Sequence, residues 1–157
     1  MNERGVSVGL DLAENEKAAG NKAMASKDRE LAVKHYSEAI ECLWDAKAQN
    51  PDGDDLKKLK TLFSVCFANR AAARLLEGEG QDAKKALEDA TQALEFDEDY
   101  AKAYWRAACS HVLLLDKPAA LKLLEKALQR QALARDKALN DLLIEIHGGI
   151  PTTVRRV

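Results

Sequence analysis

Apolar residues recur at helical spacing along nearly the whole chain. In RELAVKHYSEAIECLWDAKA (29–48), Leu31, Ala32, Tyr36, Ala39, Ile40 and Leu43 share one stripe, the i, i+3, i+4, i+7 period of an amphipathic helix. The preceding segment, AENEKAAGNKAMA, predicts a helix from about Glu14 to Ser26, and residues 1–13 read as a disordered lead-in. NPDGDD (50–55) is a breaker, because Pro and Gly stop one helix and Asp caps the next. A third helix is expected from about Asp55 to Leu76. TLFSVCF taken alone could be a strand, but its helical flanks decide against that. After the GEGQ break (78–81) come DAKKALEDATQALEF, YAKAYWRAACSHVLLL, and, past Asp116-Lys117-Pro118, AALKLLEKALQRQ. A last helix over 133–146 carries the stripe Leu139, Leu142, Leu143 and Ile146, and residues 147–157 form a tail. The pattern predicts an all-α fold of seven helices with short connections.

Self-comparison organises these helices. LAVKHYSEAI, KALEDATQAL and AALKLLEKAL superpose, so Ala32, Ala86 and Ala120 correspond. Tyr36, Ala90 and Leu124 correspond likewise, as do Ala39, Ala93 and Ala127. The second and third sets are 34 residues apart, whereas the first and second are 54 apart, which places an insertion in the breaker, the helices beside it and the GEGQ loop. Small residues at these points let antiparallel helices approach closely while large neighbours fill the grooves. The units are 14–48, 56–97 and 98–131, followed by a helix at 133–146 that shields the last apolar face.

Composition agrees with packed helices: 46% of residues are hydrophobic, only 5% are aromatic, and there are just 3 Pro. A net charge of −2 lacks the basic excess of a nucleic-acid binder. The acidic N-terminus has no apolar run, and no stretch reaches membrane-spanning length, so a soluble cytoplasmic or nuclear protein is expected. Cys42, Cys66 and Cys109 are far apart and lack CxxC spacing, the pattern of reduced, buried thiols.

The first helix of each pair carries the candidate chemistry. KAAGN places Lys17 and Asn21 one turn apart on one face, FANR carries Asn69, and AKAYWRAA spaces Lys102 and Arg106 at i, i+4. The repeating units, two of them spaced 34 residues apart, resemble tetratricopeptide repeats over residues 14–130, which implies a right-handed α-solenoid of three helix pairs and a capping helix. The usual closing Pro is absent after the second unit, where FDEDYAKAYWR stands. KxxGN, the Asn before Arg, and KxxxR resemble the dicarboxylate-clamp members of that family.

The resemblance implies that Lys17, Asn21, Asn69, Lys102 and Arg106 grip the two carboxylates of a C-terminal Asp. In that family the ligand is the EEVD tail of cytosolic heat-shock chaperones of the ninety- or seventy-kilodalton class. The residue types suit a pair of carboxylates, since Arg offers a planar fork, Lys contributes charge, and Asn donates without adding charge. Ala72 and Leu75, beyond Asn69, are candidates for an apolar pocket, and the apolar Leu76 leaves the choice between chaperone classes open.

The alternative is a scaffold that binds another acidic C-terminus, or a partner through its convex face or the 44–62 segment. His35, His111 and His147 lack ligand spacing, so no metal or other cofactor is expected. Trp44 and Trp105 read as packing anchors, GEG as a turn rather than a phosphate loop, and Arg155-Arg156 as a solvated end. Nothing resembles a nucleophilic triad, so a monomeric, non-enzymatic binding module is expected.

Overall fold

The computed structural model describes residues 5–149. Its helices are α1 (Val6–Ala25), α2 (Arg29–Lys47), α3 (Gly53–Leu75), α4 (Ala83–Phe96), α5 (Ala101–Leu113), α6 (Lys117–Leu128) and α7 (Lys137–His147). No described residue lies in a strand. Arg155 and Arg156 fall outside the described residues.

Each helix packs antiparallel to the next, and the odd-numbered helices also touch in succession, α1 on α3, α3 on α5 and α5 on α7. The odd helices therefore form a continuous inner layer. None of the described helices is long and apolar enough to cross a membrane.

Local chemistry sets the turns. Asp28, Asp82, Asp116 and Asp136 cap α2, α4, α6 and α7, each accepting a hydrogen bond from the backbone N–H three residues on. The α1–α2 and α5–α6 turns share one construction. Lys27 and Leu115 take left-handed conformations with φ of 55° and 62°. The next N–H, from Asp28 or Asp116, bonds back to Ala23 or His111 at 2.9 and 2.8 Å, satisfying carbonyls at the helix end.

The repeat alignment is visible in the packing. Ala32, Ala86, Ala120, Ala39, Ala93 and Ala127 are all fully buried, and so are Tyr36, Ala90 and Leu124. Most of the insertion lies in longer helices, since α2 and α3 have 19 and 23 residues against 14 and 13 in α4 and α5, and the rest in the longer α3–α4 loop. Trp44, Phe63, Phe67 and Phe96 fill the added space, with Phe63 stacked on Phe96 at 4.2 Å between centroids. The 44–62 segment is the end of α2, the turn and the start of α3; Trp44 packs there while leaving 43% of its surface exposed.

Two boundaries differ from expectation. Residues 6–13 are helical rather than disordered, with Leu10 and Ala13 buried in the core. Val6, Val8 and Gly9 are poor helix formers, but tertiary packing overrides propensity, and Gly9 lies close against Ala46. At the other end, residues 133–136 are a turn and α7 begins at Lys137, because the Asp136 side chain caps it.

Candidate functional site

The inner helices bring Lys17, Asn21 and Asn69 to one side of the molecule. Asn21 lies next to Gly20, which is buried where the ring of Tyr36 crosses α1. The Tyr36 hydroxyl donates to Asn21 Oδ1 at 2.6 Å, and Asn69 Nδ2 donates to the same oxygen at 3.2 Å. Two amides from separate helices are thus joined at the surface. Lys17, half-buried one turn before Asn21, lies close enough to Cys66 on α3 to interact with it electrostatically.

Lys102 and Arg106 line a groove of about 630 Å³ with Tyr100, Ala101, Trp105, Asp136 and Ala138. Lys102 is exposed and Arg106 half-buried, with its guanidinium carbon 5.0 Å from the Trp105 ring centroid. Burial lowers the Arg106 pKa from its usual value, an effect opposed by Cys109 and Tyr100. No ion pair with a described residue engages Lys17, Lys102 or Arg106.

The apolar candidates are placed differently. Leu75 is 1% exposed and belongs to the core with Ala71, Ala86 and Ala90, so it cannot line an open pocket. It faces the outer-layer helix α4, because successive residues of α3 fan around the helix axis. Ala72 is 5% exposed and offers almost no surface.

Several functional-looking residues near the site prove to be internal fasteners. Arg70, beside Asn69, gives two hydrogen bonds to Asp89 and one to Ser37, and Arg74 gives another to Asp89. Arg29 ties the α3–α4 loop by donating to the carbonyls of Ala73, Leu76 and Glu79. Sequence spacing also missed a polar group between α1 and α2. His35 Nδ1 lies 2.7 Å from Glu16, and Glu38 is near enough that one donor atom from each falls within 4.8 Å of the others. The i, i+3 spacing of His35 and Glu38 was readable, but the third member comes from another helix.

No family model matches the chain. It is 34% identical over 131 residues to serine/threonine-protein phosphatase T of Aspergillus oryzae, covering 83% of this chain and 23% of that protein. It is 33% identical over 104 residues to the Hsp70/Hsp90 co-chaperone cns1 of Schizosaccharomyces pombe, covering 66% of this chain and 25% of that one. The chain spans a quarter or less of the length of these curated relatives. Among solved structures, the second tetratricopeptide domain of human RPAP3, in complex with the HSP70 peptide SGPTIEEVD, superposes with a TM-score of 0.67. That match is 25% identical and covers 88% of this chain and 98% of that domain. Inner helices that touch in succession, Ala-based helix pairs and these likenesses define a helical-repeat domain. The chain carries a tetratricopeptide-repeat domain.

Proposed function

We propose that this domain docks the C-terminal EEVD tail of cytosolic heat-shock chaperones, of the ninety- and seventy-kilodalton classes, through Lys17, Asn21, Asn69, Lys102 and Arg106. It acts as a monomeric co-chaperone-type module in the cytoplasm, by binding rather than by catalysis. The observation that supports this reading is the joined pair Asn21–Asn69, one turn from Lys17, together with Lys17, Lys102 and Arg106 having no acidic partner among the described residues.

A C-terminal Asp presents two carboxylates close together, and amide donors from Asn21 and Asn69 with the charges of Lys17, Lys102 and Arg106 are the groups that would match them. Charge-assisted hydrogen bonds contribute about 1.5–3 kcal/mol each when well formed. A short extended peptide loses entropy on binding, so the net affinity is expected near micromolar, about −8 kcal/mol. The likeness to an RPAP3 domain solved with an EEVD-ending peptide supports the ligand class, as does the likeness to a named Hsp70/Hsp90 co-chaperone.

The test is calorimetric titration with peptides ending in EEVD from both chaperone classes and with a peptide lacking the last Asp. Arg106→Ala should weaken binding about 10- to 100-fold, the equivalent of one lost charge-assisted contact or slightly more. Lys102→Glu should abolish binding, and higher salt should weaken it. Equal affinity for the truncated peptide, or wild-type affinity in Arg106→Ala, would refute the proposal.

A further inference from the structure

We propose that Tyr36 is a positioning residue for ligand docking: its hydroxyl turns the Asn21 amide so that N–H groups, not the carbonyl, face an incoming carboxylate. This rests on the docking reading above and adds a residue that does not itself touch the ligand.

A side-chain amide has one oxygen with two lone pairs and one nitrogen with two protons. Asn21 Oδ1 accepts from Tyr36 Oη at 2.6 Å and from Asn69 Nδ2 at 3.2 Å, so both lone pairs are engaged. Flipping the amide would set its NH₂ against the Asn69 NH₂, donor against donor, and would force the buried phenol to give up its 2.6 Å donated bond and accept instead. With the oxygen held, the Asn21 nitrogen keeps both protons for a ligand, and Asn69 keeps its second. Without the phenol, rotation could bring the Asn21 carbonyl up to a ligand carboxylate, where lone pairs repel.

Three further observations fit this role. Gly20 makes room for the ring, since a Cβ there would lie 2.5–2.9 Å from three of its carbons. Burial raises the Tyr36 pKa to about 12, so the hydroxyl keeps its proton throughout neutral pH. The equivalent positions of the other two units are Ala90 and Leu124, both fully buried. Packing at this position therefore does not require a phenol, and the hydroxyl occurs only in the unit that contributes Asn21.

Tyr36→Phe keeps the ring and removes only the hydroxyl. Calorimetry would compare an EEVD-ending peptide with a free C-terminus against the same peptide amidated there. The variant should bind the free-acid peptide about 3- to 10-fold more weakly, the value of one neutral hydrogen bond. Its preference for free acid over amide should shrink, whereas a purely structural role would weaken both peptides alike. Unchanged free-acid affinity, or an unchanged preference, would overturn the assignment.

If the wild-type domain binds neither peptide, the docking proposal fails on its own account. The orientation of Asn21 is then still decided by NMR of the ligand-free protein. The side-chain NH₂ signals of Asn21 and Asn69 should move in Tyr36→Phe, and coincident signals would end the positioning claim.

Discussion

Asp89 ties α4 to α3 within the second helix pair, and replacing it with Asn tests that. Its carboxylate is 4% exposed and accepts from Arg70 Nε and Nη2 at 3.0 and 2.8 Å and from Arg74 Nη1 at 2.7 Å. Asn matches the shape but keeps one oxygen, and its NH₂ must face a guanidinium. At least one charge-assisted bond is lost, worth about 1.5–3 kcal/mol. Two guanidinium groups with only 17% and 18% exposure also lose their counter-charge. Breaking a buried pair costs about 3–5 kcal/mol in comparable settings, and the partial exposure of the arginines puts the expected loss near the lower figure, about 3 kcal/mol. That is a large share of a typical total of about 5–15 kcal/mol. Urea denaturation at neutral pH would measure it, and the thermal midpoint should fall by about 6–12 °C. A loss below about 1 kcal/mol would show that water or side-chain rearrangement compensates the arginines, and the account of this network would be wrong.

Leu115 is 88% exposed with φ of 62°, a conformation that costs a non-glycine residue about 1–2 kcal/mol. Leu115→Gly removes that strain but adds unfolded-state entropy worth about 0.4–1 kcal/mol, so a net gain of about 0.5 kcal/mol is expected in urea melts. Alkaline pH should act the other way. Burial raises Cys66 and Cys109 from 9.0, and Tyr36 from 10.0, to about 12. The folded state holds these protons more tightly than the unfolded chain, so their stabilising effect is complete below pH 9 and declines between about pH 9 and 12. Denaturation midpoints measured at successive pH values should fall across that window, and a flat profile would contradict the burial of these groups.

The helices and their pairing were legible because one physical rule repeats three times. Ala32, Ala86 and Ala120 must be small for the helices to approach, and a rule applied at a fixed period shows in the chain as self-similarity. The clamp candidates were legible for a related reason: Lys17 with Asn21, and Lys102 with Arg106, are i, i+4 neighbours on single helices, so local sequence places them on one face. Contacts that depend on separate helices were not legible. Asp89 reads as an ordinary acid on a polar face until α4 is laid against α3, and Arg29 reads as a solvated cation until the α3–α4 loop arrives. Leu75 misled because the distance from Asn69 along α3 suggested the groove, whereas its angle around the helix points to the core. The start of α1 was missed because Gly9, poor for a helix in isolation, is placed by its close approach to Ala46.

The distribution of acids separates the fasteners from the site. Asp and Glu outnumber Lys and Arg, 26 to 24, so counter-ions are not scarce. Among them, Asp89 is engaged in the internal network around Arg70 and Arg74, and Glu98 and Asp99 meet the guanidinium of Arg130. Lys17, Lys102 and Arg106 have no such partner among the described residues, although Asp136 lines the same groove as two of them. Asp136 is occupied in capping α7, which turns its oxygen toward the Leu139 N–H. Half-burying Arg106 against Trp105, with no acidic partner among the described residues, costs desolvation, which lowers its pKa. An external carboxylate entering the groove would recover that cost, and for this reason the unpaired cations, rather than the repeats, argue for an acidic ligand.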